Sequence, residues 1–137
     1  MNWITYAIIA AFSFTVMILL YKKLLLLGIN QLLLNLFIFG FVFLGFASIV
    51  VISKTPVKLS YLMVALLIAA SIFSLIGNYS MVKSYFSAPN PGYATTLVST
   101  QLILISVLSI VFFKSEFSWV KFFGIIVVLF GSYLISI

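Results

Sequence analysis

The sequence predicts an all-α, polytopic membrane protein with five transmembrane helices. Three observations carry this reading. Hydrophobic residues make up 66% of the 137 residues and charged ones only 6%, and the mean hydropathy is +1.42. A soluble domain needs roughly 25% charged residues to cover its surface. This chain cannot hide its apolar atoms from water, so lipid is its solvent. The apolar residues also fall into five runs, each near the ~20 residues that carry a helix across ~30 Å of hydrocarbon. Finally, the runs are long and lack period-two alternation, which selects helices over strands. Residues 1–137 read as a single transmembrane domain.

The first run covers residues 3–21. No positive side chain precedes it, and Lys22 and Lys23 follow it, an arrangement unlike a secretory signal. Leu24 to Leu27 extend the apolar pattern past the lysines. The second run, 30–52, stops before Ser53-Lys54-Thr55-Pro56, where Pro56 disfavours helix at Thr55. The third run covers 59–84. After it, Ser87-Ala88-Pro89-Asn90-Pro91-Gly92 is the strongest breaker in the chain. The fourth run is 93–113, and Lys114-Ser115-Glu116 forms a short polar turn before the fifth, 117–137. Trp3, Tyr61, Tyr93, Trp119 and Tyr133 stand near run ends, where interfacial belts form, although a Phe-rich chain also uses aromatics generally.

The composition excludes several function classes. Cys and His are absent and Asp plus Glu total one. Disulfides and thiolate metal sites are impossible, and the usual acid–base or triad inventory is missing. The chain therefore reads as a non-enzyme without cofactor or metal. All seven positive side chains are lysines, scattered rather than clustered, and Arg is absent. That argues against nucleic-acid binding. Most of the lysines are expected to anchor loops at the headgroups by snorkelling.

An odd number of spans puts the termini on opposite sides. Lys54, Lys58, Lys114 and Lys121 fall on the N-terminal side, and Lys22, Lys23 and Lys83 on the other, four against three. Lysine bias fixes orientation. With so small a bias the chain either inserts both ways, or the one-lysine excess and the N-terminal amine select the N-terminus inside.

Polar side chains within the runs mark packing faces or a wet cavity. On the third helix Ser71, Ser74, Asn78 and Tyr85 share a face. On the fourth, Thr95, Ser99, Ser106 and Ser109 do so, with Gln101 pointing elsewhere. The hydroxyls suit helix–helix packing, whereas Asn78 and Gln101 fit packing or a cavity equally. Asn35, one turn into the second helix, is similar but can still reach the headgroups. Lys83 closes the third run, where it either snorkels or supplies a charge near substrate. Glu116 and Ser118 read as helix-start chemistry, an N-cap with an acid near the positive helix end. Gly124 and Gly131, on one face of the fifth helix, permit close packing.

Pro91-Gly92-Tyr93, the Lys114-Ser115-Glu116-Phe117-Ser118 stretch, and Gly124-Ile125-Ile126 with Gly131 together resemble the second part of an EamA-like domain of the drug/metabolite transporter superfamily. In that pattern a loop acid and a Ser or Thr precede a helix with two glycines seven apart, and Glu116, Ser118, Gly124 and Gly131 match. Length and span count match one whole domain, as in the short five-span bacterial and archaeal members. The resemblance implies one inverted-repeat unit, completed by an antiparallel homodimer, in a cell membrane. It also implies a cavity lined by the first, third and fourth helices. Two departures stand out. Asn35 lies near where many members carry Arg, and the first run holds Thr5, Ser13 and Thr15 but no acid, which leaves proton coupling through a carboxylate unsupported.

The expected function is therefore transport of small organic solutes by alternating access. The candidate substrate-binding or cavity residues are Ser71, Ser74, Asn78, Lys83, Tyr85, Thr95, Ser99 and Gln101. The alternatives are a flippase for a lipid-linked substrate and a non-transporting scaffold or accessory subunit.

Overall fold

The computed structural model describes residues 2–114, 116 and 118–136, with the backbone alone at Lys121 and Ser136. Helix accounts for 84% of the chain, and the described residues contain no strand. Among the described residues six helices follow in order: α1 (Trp3–Leu26), α2 (Gln31–Ile52), α3 (Tyr61–Ser87), α4 (Pro91–Val98), α5 (Gln101–Phe113) and α6 (Trp119–Ser136). By length and composition α1, α2, α3 and the α4–α5 stretch Pro91–Phe113 suffice to cross a membrane. Helix α6 is shorter, with its apolar part at Phe122–Ile135. Its 18 residues rise ~27 Å, close to one hydrocarbon thickness. The chain is a polytopic helical membrane protein.

The helix ends follow from local chemistry. Helix α1 runs through Lys22 and Lys23 and stops at Leu26, five residues beyond the run expected from composition, because the leucines continue the helix. Gly28 ends it at φ +90°. The Gly28 N–H reaches Leu25 O at 3.1 Å and the Ile29 N–H reaches Leu24 O at 3.3 Å, the paired bonds of a Schellman cap. Asn30 then starts α2, its side-chain oxygen accepting the Leu32 N–H at 2.8 Å. The same C-terminal device ends α2, with Lys54 rather than glycine at φ 51°. The Lys54 N–H bonds Val51 O and the Thr55 N–H bonds Val50 O, each at 3.2 Å. Asn90 caps α4 by accepting the Gly92 N–H at 2.8 Å, and Pro91 occupies the first turn, where its missing N–H costs nothing.

The fourth apolar run departs from the expected single helix. It is interrupted at Ser99 and Thr100, whose (φ, ψ) are (−61°, −13°) and (−59°, −21°). The Thr100 N–H bonds Leu97 O, Leu102 N–H bonds Ser99 O, and Ile103 N–H bonds Thr100 O, all with 3₁₀ spacing. Four hydroxyls drive this. Thr95, Thr96 and Ser99 donate to the carbonyls of Pro91, Gly92 and Thr95, four residues back, and Thr100 donates to Leu97 O at 2.8 Å. Such back-bonding competes with the helical ladder and bends helices.

The chain divides into two compact units, residues 1–86 and 87–137. In the first, the buried apolar side chains are Tyr21 and Leu25 near the end of α1, Leu34 near the start of α2, and Val82 and Tyr85 near the end of α3. They gather at one end of the unit because the short α1–α2 turn holds two helices together there. In the second, Ala94 on α4 and Ser132 on α6 are buried, and these two helices pack on each other. Elsewhere the apolar side chains face outward, as lipid-facing surfaces do.

Candidate functional site

Helix α3 presents the polar row expected from its sequence. The Ser71 Oγ donates to Leu67 O at 2.8 Å. The Asn78 amide nitrogen donates to Ser74 O at 2.8 Å and to Ser74 Oγ at 3.2 Å. The donors of Ser71 and Asn78 are thus turned onto the helix itself, where the Ser74 Oγ serves as an acceptor. What remains outward is a set of acceptor oxygens: the Ser71 hydroxyl and the Asn78 carbonyl.

At the end of the same helix Tyr85 is 1% exposed, a core position, while Lys83 is exposed. The Lys22 ammonium reaches across from α1. It donates to Tyr85 O at 2.9 Å and Phe86 O at 3.3 Å. Lys22 is therefore half-buried and caps the carbonyl end of α3, where a cation complements the helix dipole. This differs from the loop anchoring expected for it. Sequence separation hides the pairing, because only packing of α1 on α3 brings position 22 to position 85.

Asn35 sits one turn into α2, half-buried. Its amide nitrogen donates to Gln31 O at 3.2 Å, and its buried oxygen has no partner among the described residues. An unmet buried acceptor of this kind calls for a donor.

On α4, Thr95 and Ser99 are half-buried and bonded back onto their own helix, like Ser71 on α3. Gln101 is exposed at the first turn of α5. The break at Ser99 and Thr100 separates Thr95 and Ser99 from Ser106 and Ser109, so the four do not form one continuous helical face. Ser132, which the sequence reading passed over, ties the break down. Its buried Oγ lies 3.1 Å from Thr96 O and 2.8 Å from Val128 O. Its signal in the sequence is no more than a single serine within an apolar run.

Ser106 and Ser109 instead line a cavity of about 250 Å3 between α5 and the start of α6. Ile103, Ile110, Phe122 and Ile125 give it apolar walls, and Glu116 and Ser118 stand at its turn end. Ser118 immediately precedes α6, and its carbonyl accepts the first helical bond, from Phe122 N–H at 2.9 Å. A second cavity, of about 380 Å3, is an open apolar recess on α2 beside Ser48. None of Ser71, Ser74, Asn78, Lys83, Tyr85, Thr95, Ser99 and Gln101 lines either cavity. Gly124 and Gly131 leave open space where a Cβ would stand, so the close approach they permit is not made by the described residues.

Among the described residues no cluster of side chains could hold a metal ion. The chemistry on offer is hydrogen bonding by hydroxyls and amides beside apolar and aromatic surface. The model of the EamA-like transporter family matches residues 1–137, the whole chain. No curated protein and no solved structure matches it.

Proposed function

The chain belongs to the EamA-like transporter family, and from that premise we propose that it carries small organic solutes across the plasma membrane by alternating access, as two copies in opposite orientation. The match over residues 1–137 is the observation that carries the reading. Alternating access works between structural repeats related by inversion, with substrate held near the midplane. One five-span unit supplies one repeat, and an inverted second copy supplies the other. The near-even lysine count favours such insertion. The open space at Gly124 and Gly131 leaves room for a close helix approach by that copy.

The proposed pathway uses the α3 and α4 rows together with Gln101. Ser71, Asn78, Thr95 and Ser99 have their donors engaged on their own helices, so they offer lone pairs to the solute, while the Ser74 Oγ accepts from Asn78. That suits solutes bearing N–H or O–H groups. Lys83 and Tyr85 mark the end of the α3 row. Helix α1 carries no acid, so facilitated diffusion or exchange is more economical than proton coupling through a carboxylate.

Flux in liposomes containing the purified protein alone tests the reading. Asn78→Ala and Gln101→Ala should lower flux per folded dimer more than they lower melting temperature. Lost yield and melting temperature with normal flux per folded protein would assign both amides to packing. No flux of any of a broad metabolite panel, by folded wild-type protein, would favour a scaffold instead.

A further inference from the structure

The cavity between α5 and α6 lies outside the polar rows of the proposed pathway, and its lining is chemically selective. Among its lining residues is Glu116, the one acidic side chain in a chain of formal charge +6. No ion pair to Glu116 is formed by the described side chains. The two serines beside it lack a back-bond that several other helical serines make. Ser13, Ser48 and Ser71 each bond the carbonyl four residues back at 2.8 Å. Ser106 and Ser109 make no such bond; both line the cavity, with their hydroxyls uncommitted. Phe122 adds an aromatic wall, and Trp119 meets its ring edge-on at 6.2 Å between centroids.

Each feature narrows the ligand. Glu116 is exposed at the mouth of the cavity, where it repels anions; a neutral solute covering it would strip water from the charge without supplying a counterion. An ammonium group satisfies it by a charge-assisted hydrogen bond. A primary ammonium has further N–H donors for the serine hydroxyls and favours the Phe122 ring through a cation–π contact. The remaining walls, including Ile110 and Ile125, are aliphatic and suit a hydrocarbon tail. The volume of about 250 Å3 lies below the ~300–1,000 Å3 of drug-sized sites, which limits the tail to a short one. The carboxylate sits at the turn and the aliphatic walls lie along the helices, the polarity of an amphiphile entering from the headgroups.

We propose that this cavity is a binding site for a small primary alkylammonium, with Glu116 holding the cation, Ser106 and Ser109 its N–H groups, and the α5–α6 walls its tail. The site does not rest on the transport reading, because binding is measured without flux.

The probe is n-hexylammonium, with hexanol and hexanoate as neutral and anionic controls, titrated into detergent-solubilised full-length protein. The chain has two tryptophans, so Trp3→Phe leaves Trp119 as the sole reporter beside Phe122. A saturable change in Trp119 fluorescence is expected with hexylammonium and not with either control. Glu116→Gln should weaken binding at least tenfold. A Ser106→Ala, Ser109→Ala double variant, which keeps the charge, should weaken it severalfold, and it carries the test if Glu116→Gln loses helicity by circular dichroism. Equal binding of hexanol, or unchanged affinity in the variants, overturns the proposal. A Glu116→Gln variant that alters oligomeric state while leaving hexylammonium affinity intact assigns the cavity to a second copy, which also overturns it.

Discussion

Replacing Lys22 by Met should destabilise the protein far more than replacing its neighbour Lys23. Both changes remove one positive charge from the same side of the membrane, so any effect on insertion is shared. Only Lys22 reaches the end of α3, donating to Tyr85 O and Phe86 O at 2.9 and 3.3 Å. Lys23 is exposed. Hydrogen bonds to a charged group contribute about 1.5–3 kcal/mol where they are sheltered. A cation at a helix C-terminus adds about 0.3–1 kcal/mol. Lys22 is half-buried and its second bond is long, so the lower part of the summed range applies, about 2 kcal/mol. Methionine keeps most of the apolar stem, which limits the packing loss. Lys23→Met should change stability by less than about 0.5 kcal/mol, as surface substitutions do. Helicity followed by circular dichroism during titration from mild detergent into SDS gives both values. Equal losses in the two variants, or a loss below 0.5 kcal/mol for Lys22→Met, would refute the assignment of Lys22 as the α3 cap.

Gly28→Ala should cost about 1 kcal/mol in the same titration, because its φ of +90° is a conformation that residues with a Cβ avoid. Lys54→Gly should move the other way, a gain of about 0.5–1 kcal/mol, since φ 51° strains a lysine and not a glycine. Ser132→Ala removes the tie to Thr96 O and should lose about 0.6 kcal/mol, up to ~1.7, the range of interhelical hydrogen bonds in membranes; hydrogen exchange at the Thr100 and Leu102 amides should rise with it. Single cysteines at Asn2 and Ser84, in a chain without native Cys, should each label from both sides of the membrane with an impermeant reagent. Labelling of each from one side alone would rule out dual insertion.

The helices were legible because apolar run length is a strong signal, and Asn90-Pro91-Gly92 and Asn30 announce their caps in the chain itself. The interruption at Ser99 and Thr100 was not, since neither Gly nor Pro stands there. Its signal is the density of hydroxyls at 95, 96, 99 and 100, each of which reads singly as a packing residue. Partners across the fold were less accessible still. Lys22 looks like any interfacial lysine until α1 is laid against α3. Glu116 looks like a helix-start charge, and its place at one cavity with Ser106 and Ser109 requires α5 and α6 to fold back around the turn. The α3 row was legible as a shared face, but not that Asn78 turns its donors onto Ser74. That depends on the rotamer, which periodicity does not encode.

The left-handed turns at Lys54 and Lys114 join two properties that are usually separable. Both follow a helix C-terminus, at φ 51° and 50°, where glycine would relax the backbone. In the five-span arrangement both also belong to the loops of one membrane face, where their charge bears on orientation. A single side chain thus sets a turn and votes on topology. Replacing either lysine by glycine to redirect insertion would ease the loop at the same time. A flipped population made in this way would therefore be the more stable one, and its orientation could not be credited to charge alone. Moving the lysine one residue onward, with glycine left in its place, separates the two effects.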